Sequence, residues 1–217
     1  MNRRIFLGAA GALALEIGWR GAVAAAAPAL PASPGAVLGG KSLEEALRRR
    51  QSQREYAPTP LPDEVLSGLL WAAWGVNRPD SGKHTAPSSR NRQEMSVYVA
   101  TATGVFLYDP AGHALVEKGS ADVRAATGTQ AYVATAPVNL VYLADLAKAT
   151  GGSDEERLLT AGMDTGFISQ NVYLFCAAMG LATVVRAGFD AAALAKALGL
   201  APGQRPILAQ CVGYPKA

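Results

Sequence analysis

Apolar positions along this chain follow helical spacing in some stretches and strand spacing in others. Leu66, Leu69, Leu70, Ala73 and Trp74 fall on one helical face, so a helix is expected from Pro62-Asp63-Glu64 to Gly75. A shorter amphipathic helix is expected over Ser42 to Arg50, opened by a capping box of Ser42 and Glu45. Glu155 to Met179 is largely apolar and predicts one long helix through the core, stopped at Gly180. A last helix, capped by Asp190, runs to Leu198. Ser96 to Ala102 and Val105 to Asp109 read as a hairpin turning at Thr103-Gly104, with Ala114 to Lys118 as a candidate third strand. Pro137 to Leu143, Ala182 to Arg186 and Pro206 to Tyr214 read as further strands. Residues 77–94 are rich in Pro, Ser, Asn and Arg and predict a long polar loop. A loop of that length is usually functional or mobile. Helices and strands are interspersed without βαβ regularity, which predicts an α+β fold.

The chain has 217 residues, enough for one domain with a real core, and half of it is hydrophobic. Its formal charge is +3, of which Arg3, Arg4 and Arg20 less Glu16 supply +2. A near-neutral body does not suggest nucleic acid as a partner. Cys176 and Cys211 both lie in apolar runs and read as buried free thiols, although a disulfide between them stays open. His84 and His113 fall in separate loops, so no His-rich metal site is expected, and His84 reads as a surface imidazole. Trp71 and Trp74 are expected in the core or at a subunit interface. Asp164 is expected to make a local helix contact, and Gln170 and Asn171 to be satisfied core polar groups. Nucleophile elbows, zinc-protease helices, P-loops and dinucleotide fingerprints do not occur.

The first residues read as an address. Arg3-Arg4-Ile5-Phe6-Leu7 opens a mildly apolar run to Ile17, followed by Ala22-Val23-Ala24 and an Ala/Pro stretch. A charged start, an apolar middle and small residues for cleavage make an export signal, and the Arg pair resembles a twin-arginine signal. Three parts are expected: a signal over 1–26, cleaved after Ala24 or Ala26; a flexible linker over 27–40 without core periodicity; and a folded domain over 41–217. The export machinery of that route is then a partner, and the product is periplasmic or otherwise exported. The apolar run is too short to span a bilayer, so no stable membrane anchor is expected after cleavage. The twin-arginine route moves folded proteins, often with a cofactor already loaded.

Chemistry concentrates where the first helix ends. Arg50-Gln51-Ser52-Gln53-Arg54-Glu55-Tyr56 brings two cations, a hydroxyl and amides to a helix-to-strand transition. Taken alone, a basic helix end complements the helix dipole. The same groups suit a phosphate and a polar ring edge, because charge-assisted bonds to phosphate are strong.

The ordered set of motifs resembles the nitroreductase superfamily of flavin mononucleotide (FMN) enzymes over nearly all of Ser42 to Tyr214. It comprises Arg50-x-Ser52-x-Arg54-x-Tyr56, Pro62-x-Glu64 with Leu69-Leu70-x-Ala72-Ala73, and Pro87-Ser88-Ser89-Arg90-Asn91-Arg92-Gln93. Ala136-Pro137-Val138, Asp164-x-Gly166, Gln170-Asn171, Met179-Gly180-Leu181, Ala187-Gly188-Phe189-Asp190 and Val212-Gly213-Tyr214-Pro215 complete it. The run Gly104 to Pro110 followed by Leu115 is similar to the branch containing azoline-forming oxidases. The resemblance implies a mixed, largely antiparallel central sheet flanked by helices, one of them a long core helix. It implies a homodimer with shared FMN sites and a small-molecule substrate.

Roles follow from the resemblance residue by residue. Arg50 would reach the FMN phosphate, with Gln51 and Ser52 on the phosphate or ribityl chain. Arg54 would sit by the ribityl and pyrimidine edge, where a cation tunes the cofactor. Pro87, Ser88, Ser89, Arg90 and Asn91 would come from the second subunit and close over the same flavin. The N–H of Gly188 or Ala187 would donate to flavin N5, glycine permitting close approach. Gln130 would bond the pyrimidine edge. No catalytic side chain is required, since flavin N5 carries the chemistry. Two departures bear on this. Glu94-Met95 stands where many relatives have Pro-Trp, and the chain ends at Pro215-Lys216-Ala217 where many extend, leaving Lys216 as the basic candidate there. The second reading is accordingly a non-catalytic flavin-binding or degenerate binding protein on the same fold.

Overall fold

The computed structural model describes Leu30, residues 41–149 and residues 151–217. The expected signal, and all of the expected linker except Leu30, lie outside the described residues. Leu30 itself is buried in the main core cluster, beside Leu61 and Leu66. The stretch read as a linker therefore touches the domain at that point.

Six strands form one sheet: β3 (Met95–Thr101), β4 (Gly104–Asp109), β5 (Ala114–Gly119), β6 (Val138–Asp145), β7 (Ala182–Arg186) and β8 (Gln204–Gly213). Their spatial order is β5-β4-β3-β6-β8-β7, and every pairing is antiparallel rather than mixed. The reason lies in the last connections. The long helix carries the chain from β6 to a β7 of the same direction, but β8 inserts between the two and reverses against both.

Among the described residues four α-helices flank this sheet: α1 (Leu43–Arg49), α2 (Asp63–Trp74), α3 (Asp154–Met179) and α4 (Ala191–Ala197). Val97, Val99, Leu140, Tyr142 and Val212 meet α2 and α3 on one face. Tyr98, Val141, Leu143 and Ala209 meet Leu194 and Leu198 on the other. β6 is covered on both faces, which explains why Leu140 to Ala144 are all apolar without alternation.

The helix ends follow their caps. Ser42 accepts the Glu45 N–H, while the Glu45 carboxylate turns to Arg49 instead of completing a capping box. Ser153 and Glu156 do make the reciprocal box at the start of α3. Gly180, at φ 71°, closes α3 in the left-handed region that a side chain disfavours. α3 is one-sided rather than encased. Its inner face buries Ile168, Val172, Phe175 and Cys176, while Leu159, Met163 and Phe167 are 65, 54 and 50% exposed. Gln170 lies on that outer face, so it is not a core polar group. Asn171 is satisfied, donating to Ala72 O (3.0 Å).

The expected loop over 77–94 contains a small hairpin, β1 (Val76–Arg78) with β2 (Lys83–His84). It folds His84 inward, correcting the surface reading. The ring is 7% exposed, stacks on Trp74 at 4.2 Å, and its Nδ1–H donates to Trp74 O (2.7 Å). Both cysteines are free and buried.

Candidate functional site

The Arg50–Tyr56 segment is placed by an open sheet edge. α1 closes at Arg50, and the chain then runs beside β7, the last strand of the sheet, with Gln53 N–H donating to Thr183 O (2.9 Å). An edge strand leaves backbone groups without ladder partners, and this segment supplies some. Tyr56 pins its far end. The residue is buried, its hydroxyl donates to Gln53 O (2.9 Å), and burial pushes its phenol well above the ordinary range.

Behind the segment stands Tyr173 of α3, which sequence reasoning did not single out. Its hydroxyl accepts the Val185 N–H (3.0 Å) and lies 2.8 Å from Ser52 Oγ, while the Arg50 guanidinium sits 5.4 Å from its ring centre. Gln51 joins Arg50 and Gln53 in lining an open cleft of about 370 Å³ that reaches Gly180 and Pro215. The backbone N–H of Lys216 donates to Glu55 O (3.3 Å), so the chain's last residues run beside this segment.

The arginines here differ sharply. Arg48 and Arg49 form ion pairs with Glu44 and Glu45 one turn back. Among the described residues, neither Arg50 nor Arg54 has an acidic partner. Two cations next to a hydroxyl, with no protein anion to neutralise them, form a donor set for an external anion.

The end of β7 carries Ala187 and Gly188, both exposed. Thr129 N–H donates to Gly188 O (3.0 Å), and a Cβ on Gly188 would stand 3.0 Å from Gln130 Nε2. Gln130 and Gly188 are therefore neighbours, and β7 joins them to the Arg50–Arg54 segment.

Pro87 to Asn91 is elsewhere. Ser89 N–H donates to Asp164 Oδ2 (2.8 Å), so Asp164 makes a long-range contact rather than the local helix contact expected of it. Asp164 and Tyr173 are nine residues apart on α3, about 13 Å at 1.5 Å per residue. Within one protomer the loop and the Arg50–Ser52 groups are thus separated along the helix. The loop is strained and braced. Arg90, Asn91 and Gln93 have φ of 54, 53 and 50°, and Gln93 N–H donates to Ser88 Oγ (3.1 Å).

At the base of this loop, Glu94 faces Asp164. They are 1 and 3% exposed, and among the described residues no side chain other than Asp164 partners the Glu94 carboxyl. Burial first, and the hydrogen bond shared with Asp164 second, push Glu94 up to about 7. A proton on Glu94 is what lets two carboxyls touch. Because its folded pKa lies above its free value, this proton stabilises the fold fully below the free value, and the gain is lost as pH rises through about 7. The loss should be about 2–3 kcal/mol. Melting of the wild type should therefore fall between about pH 5 and pH 8. Glu94→Gln, which keeps a donor and removes the charge, should flatten that profile and melt higher at the alkaline end. Parallel profiles for the two proteins would refute the shared proton.

Residues 47–214 match the family model described as the nitroreductase family. A candidate nitroreductase of Methanocaldococcus jannaschii is 32% identical over 152 residues, covering 65% of this chain and 76% of that protein. The crystal structure of a candidate nitroreductase from Ralstonia eutropha is 38% identical, covers 87% of this chain and 89% of its own, and superposes with a TM-score of 0.82. The NADPH:FMN oxidoreductase of Vibrio harveyi, solved with NAD+, is 24% identical with a TM-score of 0.61, covering 81% of this chain and 69% of its own.

Proposed function

This chain belongs to the nitroreductase family and is an oxidoreductase on that ground; from that premise we propose that it is an exported, homodimeric FMN enzyme acting on a small organic substrate. The observation that carries the cofactor reading is the pair Arg50 and Arg54, unneutralised beside Ser52 on the edge of β7. The donor set fits FMN: guanidinium groups and a hydroxyl for the phosphate and ribityl chain, and, at Gly188 and Gln130, an exposed N–H and an amide for a ring edge. Bound there, FMN would supply hydride and electron transfer at N5. This chain's own groups would bind and orient it, and the exposure of Gly188 leaves the site open to substrate. Lys216 would add a cation beside the same segment.

The second subunit would contribute Pro87, Ser88, Ser89 and Asn91, which one protomer holds away from its own Arg50. The apolar outer stripe of α3, Leu159, Met163 and Phe167, is the surface for that dimer. The run Gly104 to Pro110 followed by Leu115 supports a likeness to the azoline-oxidase-like branch.

Export rests on the Arg3-Arg4 signal. Arg3→Lys with Arg4→Lys should leave the protein in the cytoplasm, read by fractionation and immunoblot. An unchanged periplasmic fraction would remove the twin-arginine assignment. Outside the cytoplasmic membrane nicotinamide donors are not expected, so the organic substrate itself is proposed as hydride donor, with oxygen or a quinone-linked carrier as acceptor. Purified protein should be reduced anaerobically by dithionite and reoxidised in air, and should lack sustained turnover with a nicotinamide alone. Steady turnover with physiological nicotinamide would overturn the donor assignment. Protein that takes up no FMN would support the binding-protein reading instead.

A further inference from the structure

Arg186 is a charge inside a buried strand. It ends β7 on the sheet face away from α3 and is 8% exposed. Its Nη2 donates to Thr127 O (3.1 Å), Thr127 Oγ1 (2.8 Å) and Asn139 Oδ1 (3.1 Å), and Nη1 lies 3.1 Å from Cys211 Sγ. Nε has no partner among the described residues. No carboxylate among the described residues lies within ion-pair distance of it.

The nearby acids do not supply the missing anion. Burial pushes the Cys211 thiol up to about 11, and its Sγ–H donates to Asn139 Oδ1 (2.7 Å). Tyr56 is likewise raised by burial and donates to Gln53 O. Every group touching the guanidinium among the described residues is therefore neutral. A buried cation without a counter-charge opposes folding, so its presence calls for an anion from outside the protein.

Its position says where that anion would be. Arg186 is followed directly by Ala187 and Gly188. Its Nε stands 2.5 Å from where a Cβ on Gly128 would sit, directly under the turn from Thr127 to Gln130. That turn holds Gly188 through Thr129 N–H and presents Gln130 beside it. Arg54, the other cation assigned to the ring edge, is exposed and screened by solvent, whereas Arg186 is not.

Resting on the FMN reading above, we propose that Arg186 is a positioning residue with an electrostatic task. It fixes the Thr127–Gln130 turn, and its unneutralised charge favours the reduced, anionic flavin over the oxidised, neutral one. The charge balance is simple: a hydride brings two electrons and one proton to N5, its organic donor is oxidised, and the ring is left with one net negative charge. That negative charge is the counter-charge the protein does not provide.

The test measures affinity for oxidised FMN and the midpoint potential by dithionite titration against a reference dye. In Arg186→Gln, preference for reduced over oxidised FMN should drop about tenfold, which lowers the two-electron midpoint by about 30 mV. Arg186→Lys should stay near the wild type. Asn139→Asp, which keeps the arginine and sets a carboxylate against it, should lower the midpoint in the same direction, and it serves if Arg186→Gln does not fold. An unmoved midpoint in both Arg186→Gln and Asn139→Asp, or equal losses for the two flavin states, overturns the proposal and leaves the FMN reading intact. Wild-type protein that binds no FMN overturns both.

Discussion

Arg50→Ala and Arg54→Ala should each weaken FMN retention by roughly ten- to a hundredfold, measured as quenching of flavin fluorescence during titration. Loss of one charged hydrogen bond costs about 1.5–3 kcal/mol. Arg50 should stand at the upper end, because it is half-buried and held over Tyr173, so little ordering is needed to use it. Arg54 is exposed, and solvent screening should place it lower. Arg48→Ala is the internal control: that side chain is already paired with Glu44 and should change affinity little. The same affinity in both Arg50→Ala and Arg54→Ala would mean the anion sits elsewhere.

The second large effect concerns assembly. Met163→Glu together with Phe167→Glu should weaken dimerisation by more than about a hundredfold, since buried anchors of an interface typically carry 2 kcal/mol or more each. Both side chains are about half exposed in the protomer, so the fold itself should melt almost unchanged. Cofactor should be lost along with the dimer, because Asp164 holds the Ser89 loop about 13 Å along α3 from Tyr173 and Arg50. Sedimentation and flavin content of the double variant read both consequences. A dimer that persists, or a monomer that keeps its flavin, would contradict the shared site.

The parts of the fold that were legible in the sequence are those where a period or a cap is repeated. β7 matches its expected range, and the other main strands lie within a residue or two of theirs, because the apolar runs of a buried sheet are long enough to register. Gly180 and Gly75 stopped their helices for the usual steric and capping reasons. The β1–β2 hairpin was not legible, since strands of three and two residues are too short to alternate. With it went the burial of His84, which depends on Trp74 being beneath the turn. Strand order was hidden as well: nothing local tells β8 to insert between β6 and β7.

The site shows the same division. Arg50, Ser52 and Arg54 were legible as a dense polar motif, and the structure lines them along one sheet edge. Glu94 and Arg186 carried a signal that could have been read, a charge against or within an apolar strand. What each one does depends on partners 70 and 47 residues away, Asp164 and Asn139, which only the tertiary structure supplies. Tyr173 gave no signal, being one more large residue on an apolar helix.

Arg50 and Arg54, without an acidic partner among the described residues, are proposed to hold FMN at its phosphate and along its ribityl chain. The most direct measurement is the visible spectrum and released-cofactor content of protein purified in its native state from the compartment where it accumulates. Yellow protein with about one FMN per chain is expected, the FMN being lost on dialysis from Arg50→Ala. Colourless protein that stays colourless after incubation with excess FMN would contradict it.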